Sequence, residues 1–319
     1  MRTALFATVA AAALMAGASH AQTYPNGPIS LVIPLTPGDA TDIAARVMGE
    51  ELAKLLRVAV IPVNRPGAGG ALGTDSVVKA AKDGHTILIT INAALTFRRV
   101  LDPQNVKYDP LKDLTPLGLT TRIPSILAVR DDLPYKNFAE MVEYEKKNPG
   151  TVRAGTVGIG SVGDFTVQII NSLAGVEITM VPFKGASPAI TALRGGHVEG
   201  VALALGALSG QLKSGAMRGI VISTRFPEFP AIPTLSDLGY RQNLPGVWLG
   251  FFAPAGVGPE VTGVLVPAIE KVARNPVIAA RLAALGMLQD YAPPEKLTEE
   301  IREEYRTVEQ IAKKAGLVK

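Results

Sequence analysis

The chain has 319 residues, 47% hydrophobic and 19% charged, with 32 Lys+Arg against 28 Asp+Glu and a net charge of +4. This is globular composition with length for roughly two domains, neither disordered nor fibrous. Cysteine is absent, which excludes disulfides, zinc–thiolate sites, iron–sulfur clusters and thiol nucleophiles, and the basic excess forms no run of like charge that would mark a nucleic-acid surface.

Met1 and Arg2 precede an apolar run from Ala4 to Ala18, which ends in Ser19-His20-Ala21. A short cationic start, an apolar stretch and small residues at a cleavage site read as a secretory signal peptide over 1–21. The run is too short to span a bilayer. The expectation is a mature chain that starts near Gln22, soluble and periplasmic.

Ile29 to Ile33 is an apolar, β-branched run, the pattern of a strand buried on both faces. A helix is predicted from Thr41 to Leu55, a strand from Val58 to Val63, a helix from Leu72 to Ala81 and a strand from His85 to Ile91. The same alternation returns with a strand at Val152 to Val157, a helix at Val162 to Leu173, a strand at Glu177 to Pro182, a helix at Ser187 to Arg194 and a strand at Val198 to Leu203. Repeated β-α-β-α-β units predict two doubly wound α/β domains. Helices follow at Glu260 to Ala273, Pro276 to Leu285 and Glu295 to Ala315. The Pro-rich stretches Phe226 to Pro233 and Pro245 to Pro259 are read as crossover segments.

Gly158-Ile159-Gly160-Ser161-Val162-Gly163 matches G-x-G-x-x-G between a predicted strand and a predicted helix. A dinucleotide site also needs a carboxylate about 20 residues on, where the chain reads Val181-Pro182-Phe183-Lys184-Gly185. An NAD(P)-dependent oxidoreductase is therefore the weaker reading, and no cofactor is expected. The loop still offers backbone N–H groups at a helix start, which suits a carboxylate as well as a phosphate. Thr36-Pro37-Gly38-Asp39-Ala40-Thr41-Asp42 is a second loop of this kind, in which Asp42 is read as capping the helix or complementing its dipole. Two such loops on two similar halves predict a cleft that grips one ligand from both sides. No catalytic constellation assembles around His85 or His197, and no metal-ligand spacing occurs, so a binder and not an enzyme is expected.

These motifs resemble the Bug-type solute receptors, the extracytoplasmic binding proteins of tripartite tricarboxylate transporters. Pro37-Gly38-Asp39-Ala40-Thr41-Asp42 is similar to that family's P-G-G-x-T-D entry to the first helix. Asn64-Arg65-Pro66-Gly67-Ala68-Gly69-Gly70 is similar to its N-R-P-G-A-G-G loop, and Asp83-Gly84-His85-Thr86 to its D-G-Y-T turn. Tyr108 to Leu114, Val181 to Gly185, Leu193 to Val198, Pro230 to Leu235 and Phe252 to Gly256 also follow the family's pattern, in its order.

The resemblance implies a type II periplasmic-binding-protein fold, Venus-flytrap-like. Domain 1 would comprise 22–122 plus 250–319 and domain 2 would comprise 123–249, with a hinge near Arg122 and Gly250. It implies that Thr36 to Thr41 and Thr156 to Asp164 hold the ligand carboxylate, partly through water. Within these loops the expected ligand-binding residues are Thr36, Pro37, Gly38, Asp39, Ala40 and Thr41, then Thr156, Gly158, Gly160, Ser161, Val162, Gly163 and Asp164. Phe183 and Lys184 lie near the family's cleft, and Thr90 and Asn92 belong to its rim. Where the family often has an Asp-Asn pair after its G-G-x-V strand, this chain has Leu203 and Ala204. An apolar wall there argues against a ligand ammonium, and Phe183 and Trp248 could flank a flat ring.

The expectation is capture of an aromatic carboxylate or an apolar dicarboxylate by a monomer that serves membrane subunits, with a ligand-sensing receptor subunit as the alternative.

Overall fold

The computed structural model describes residues 24–314 and 318. The signal segment expected at 1–21 lies outside them. Among the described residues no helix is long and apolar enough to cross a membrane.

The first β-α-β-α-β unit is β1 (Ile29–Ile33), α1 (Ala40–Leu56), β2 (Val60–Asn64), α2 (Ala71–Val78) and β3 (Thr86–Ile91). β1 pairs in parallel with both β2 and β3. Ile29, Leu31 and Ile33 are fully enclosed, as the unbroken apolar run requires. A wide turn (Ala93–Phe97) and the short α3 (Arg98–Leu101) lead to β4 (Leu114–Ile123), which passes through Pro124 straight into β5 (Ser125–Arg130).

α4 (Phe138–Lys147) then introduces the second unit: β6 (Arg153–Thr156), α5 (Val162–Ala174), β7 (Thr179–Pro182), α6 (Ala186–Arg194) and β8 (Gly200–Ala204). β6 pairs in parallel with β7 and β8. The short α7 (Ser209–Lys213) and β9 (Met217–Ile222) follow. The segment 223–246 returns to β10 (Val247–Pro254), and α8 (Pro259–Ala273), α9 (Pro276–Ala283), β11 (Leu288–Ala292) and α10 (Pro294–Lys314) complete the chain.

The strands form two sheets, ordered β11-β4-β10-β3-β1-β2 and β7-β6-β8-β5-β9. Each contains the expected parallel triplet, and each is extended by antiparallel strands, so both sheets are mixed. In each sheet the strand next to the triplet arrives from the other sheet: β5 lies beside β8, and β10 beside β3. The two bodies thus share two strand connections. These are tied together where Ser125 N–H donates to Ser223 Oγ at 3.0 Å and Ser223 N–H donates to the Ser125 carbonyl at 2.9 Å.

One expectation is overturned. Pro245 to Pro259, read as a crossover segment, contains β10, whose eight residues are all buried in the first sheet. Pro245 and Pro254 bound the apolar run Val-Trp-Leu-Gly-Phe-Phe-Ala without interrupting its ladder, and proline at a strand end costs no interior hydrogen bond. The connection back from the second sheet is the segment before it, 223–246.

Candidate functional site

In open α/β sheets ligands sit outside the carboxyl ends of the parallel strands, where the direction of chain crossing reverses. Here those ends face one another across the two bodies. β1 feeds the loop Leu35 to Asp39, and β6 feeds the loop Val157 to Ser161.

Both loops are built alike. Gly38 sits at φ +82° and Gly160 at φ +71°, conformations that favour glycine. Gly38 N–H donates to Asp42 Oδ2 at 3.0 Å, and Gly160 N–H donates to Asp164 Oδ2 at 2.7 Å, each to the carboxylate four residues on. Asp39, with extended backbone, caps α1 by accepting from Thr41 N–H at 2.9 Å. Ser161 caps α5 by accepting from Asp164 N–H at 3.1 Å. Asp42 also accepts from Arg46 and from Asn64 Nδ2, whose amide also donates to the Leu35 carbonyl at 3.0 Å. Asn64, from the N-R-P-G-A-G-G loop, thus braces the first strand-to-helix loop.

This geometry refines two expectations. Asp39 is the cap of α1, while Asp42 is the acidic residue of its first turn, the dipole-complementing alternative, and folds back onto the Gly38 amide. The Gly38 and Gly160 N–H groups are already engaged by the chain's own carboxylates, because an aspartate in the first helical turn is the nearest acceptor for the amide four residues before it. The helix-start amides of Ala40, Val162 and Gly163 are the ones an α-helix leaves without an intrahelical partner.

The carboxylates differ in their electrostatics. Burial pushes Asp39 up to about 6, against the opposing pull of Thr41, and the charge of Asp42 adds to the rise. Burial also raises Asp164, with the Gly160 amide and Gln168 opposing it. At Asp42 burial is outweighed by Arg46, the Gly38 amide and Asn64, which together hold it below the usual carboxylate range.

A cavity of about 30 Å³ lies between the bodies, room for a water molecule or two. Asp39, Thr41 and Ser125 supply its polar side chains. Leu35, Ile91, Val157, Val162 and Val247 form apolar wall, and Gly163 and Ala202-Leu203-Ala204 close the side toward the second sheet. Around it the bodies touch. Ser187 Oγ donates to the Pro37 carbonyl at 3.2 Å, and Arg98 donates to the Ile159 carbonyl while paired with Asp102. Phe97 and Phe165 meet edge to face at 5.2 Å. Thr36 packs on Gly185 so closely that a Cβ there would lie 1.9 Å from Thr36 Oγ1. That hydroxyl is buried without a hydrogen-bond partner.

Of the residues expected from sequence, Asp39, Thr41, Val162, Gly163, Leu203 and Ala204 line the cavity. Thr36, Pro37, Gly38, Ala40, Thr156, Gly158, Gly160, Ser161 and Asp164 shape its two loops. Phe183 is half-buried and Lys184 exposed in the loop before α6, and neither is part of the lining. Thr90 and Asn92 are turned elsewhere. Thr90 Oγ1 lies 3.2 Å from Thr74 Oγ1, and Asn92 Nδ2 donates to the Gly246 carbonyl and to Glu304. Trp248 likewise points its Nε1 at Glu304, away from this cavity. Sequence reasoning missed Leu35, Ile91, Ser125, Ala202 and Val247, and did not single out Val157 within its loop. The proline between two apolar runs at Ile123-Pro124-Ser125 was the available signal for Ser125.

Residues 44–317 match the family described as the tripartite tricarboxylate transporter family receptor. Protein BugT of Bordetella pertussis is 31% identical over 309 residues, covering 96% of this chain and 94% of BugT. The solved periplasmic binding protein BugD superposes with a TM-score of 0.88 at 29% identity, over 92% of this chain and 99% of BugD. An R. palustris protein solved with adipate gives a TM-score of 0.88 at 27% identity, over 92% of this chain and 98% of that one. The paired strand-to-helix loops, the shared strand connections and these similarities converge: the chain belongs to the tripartite tricarboxylate transporter receptor family, as a solute-binding protein of the Bug type.

Proposed function

We propose that this receptor captures an aliphatic dicarboxylate with an apolar body and delivers it, without chemical change, to the membrane subunits of a tripartite transporter. The observation that carries the reading is the lining of the cleft. It is apolar except for Asp39, Thr41 and Ser125, and two helix N-termini that favour negative charge flank it. The unpartnered Thr36 hydroxyl and the amides of Val162 and Gly163 are the donors proposed for the ligand carboxylates. Asp39, raised to about 6, offers a further O–H donor when neutral.

Leu203 and Ala204 give an ammonium group no side-chain acceptor on their wall, and a buried charge without a partner is costly. With Phe183 and Trp248 outside the lining, the support for an aromatic ring falls away and the aliphatic diacid is preferred. The adipate-bound relative is consistent with this choice. A diacid is larger than the closed cavity, so its entry needs the bodies to part.

The proposed bodies are 24–123 with 247–314, and 125–222, hinged at Pro124 and at 223–246. Export to the periplasm and a monomeric state complete the reading. Calorimetry tests it: adipate should bind at least tenfold more tightly than glutamate or citrate, a gap of about 1.4 kcal/mol. Tighter binding of glutamate or citrate would overturn the ligand class.

A further inference from the structure

A second cavity, about 570 Å³, opens beside the strand connections, and Val247 lines both it and the smaller cavity. Its walls come from both bodies: Phe97 and Trp248 from the first, Phe165 from α5 of the second, and the connecting residues Pro124 and Gly246 between them. α10 forms one side. Along that helix Leu297, Ile301, Val308 and Ala312 are buried, the i, i+4 spacing of an apolar stripe. Glu304 occupies a position within the stripe where an apolar residue would pack.

Its carboxylate is held by three neutral donors. Oε1 accepts from Asn92 Nδ2 at 2.7 Å and from Trp248 Nε1 at 3.2 Å, and Oε2 accepts from Thr96 Oγ1 at 2.7 Å. Among the described residues no cation is paired with it. Glu300 and Glu303 also line the cavity. The lining guanidinium, Arg122, is engaged by Glu300 at 3.0 Å and by Asp290 at 2.6 Å.

We propose that this hinge cavity is a second ligand site, which takes an organic ammonium ion with an apolar or aromatic body. The ammonium would pair with Glu304, and the body would lie against Trp248, Phe97 and Phe165, whose ring faces attract cations and whose area favours burial. Among the described residues no three carboxylate or imidazole groups come together to hold a metal ion, and a site this size with aromatic walls fits an organic cation. Burial pushes Glu304 up to about 7, although Asn92 and Thr96 oppose the rise, so an arriving cation would also hold the carboxylate in its charged form. Because both bodies contribute wall, an occupant would bias the hinge. The proposal stands independently of the ligand assigned to the main cleft.

The test is calorimetric titration of the mature protein with phenethylammonium chloride at mildly alkaline pH, with 2-phenylethanol and phenylacetate as neutral and anionic controls. Saturable binding of the amine is expected, at least tenfold tighter than either control. Glu304→Gln should weaken it at least tenfold. Thr307→Trp, which places bulk at the cavity's exposed edge without touching the core, should do the same. Adipate titrated into each variant reports separately on the main cleft and on folding. The proposal is overturned by an absence of saturable amine binding, by equal binding of 2-phenylethanol, by undiminished binding in both variants, or by competitive displacement of the amine by adipate.

Discussion

Asp39 carries the sharpest conflict between roles. Its side chain caps α1, which favours a charged acceptor, yet it is 5% exposed at the wall of a narrow apolar cavity, which penalises charge. A folded-state value near 6, above the ordinary 3.8, means that stability is lost as pH rises from 3.8 to about 6 and levels off above that, while below both values Asp39 costs nothing. Asparagine caps a helix as well as aspartate does. Asp39→Asn should therefore stabilise the protein by about 3 kcal/mol near pH 8 and leave stability near pH 3 unchanged, each tenfold change in proton affinity being worth ~1.4 kcal/mol. Denaturant unfolding at the two pH values checks this; equal stabilities at the higher one would refute it. In the proposed dicarboxylate site the same ionisation would act on the ligand. Neutral Asp39 donates to a carboxylate and charged Asp39 repels it, so adipate should bind more tightly at pH 6 than at pH 8. That dependence should flatten in Asp39→Asn, as measured by calorimetry.

At the scale of elements, the two ligand loops are copies in architecture but differ in how they meet the opposite body. The first loop presses Thr36 onto Gly185, at the start of α6. Gly185 has φ 168°, extended backbone open to any residue, so its glycine is required by close approach and not by strain. A Cβ there would lie 1.9 Å from Thr36 Oγ1 and 2.8 Å from its Cγ2. Gly185→Ala should leave each body folded but hold the cleft ajar and weaken dicarboxylate binding at least tenfold, about 1.4 kcal/mol. An unchanged affinity with an unchanged melting curve would show that this contact plays no part in closing. Gly160 is less clean, since φ +71° and Arg98 Cγ at 2.9 Å from an added Cβ would mix backbone strain with the cross-cleft clash.

For the molecule as a whole, the two strand connections tied at Ser125 and Ser223 are the proposed hinge, and the contacts of Pro37 with Ser187 and of Arg98 with Ile159 hold the two bodies together in this structure. A ligand that touches both loops interacts most fully when they are together, and only such differential affinity can shift the population toward closure. Solution scattering should therefore show a smaller radius of gyration with adipate than without it. Gly185→Ala should remain expanded at saturating adipate, and adding Thr36→Gly should restore compaction. An identical radius with and without ligand in the wild-type chain would count against hinge closure while leaving binding intact.

Local chemistry made much of this legible in sequence. Apolar β-branched runs such as Ile29 to Ile33 can only be strands buried on both faces. Glycines followed by a capping residue, as at Gly160-Ser161, mark where strands turn into helices, and together these fixed both β-α-β-α-β units and the two loops that face the cleft. What remained hidden depends on partners far apart in the chain. β10 was masked because prolines that bound a strand look like prolines that break one until its neighbours β3 and β4 are known. Asn92 and Trp248 sit beside the expected site in sequence but are drawn to Glu304, more than 200 and 50 residues onward respectively. Ser125 and Val247 enter the cleft only because the two crossing strands pass side by side. Whether the Gly38 and Gly160 amides were free for a ligand turned on which rotamers Asp42 and Asp164 adopt. Hydrogen-bond satisfaction in a closed, desolvated space decides that, and no periodicity in the chain encodes it.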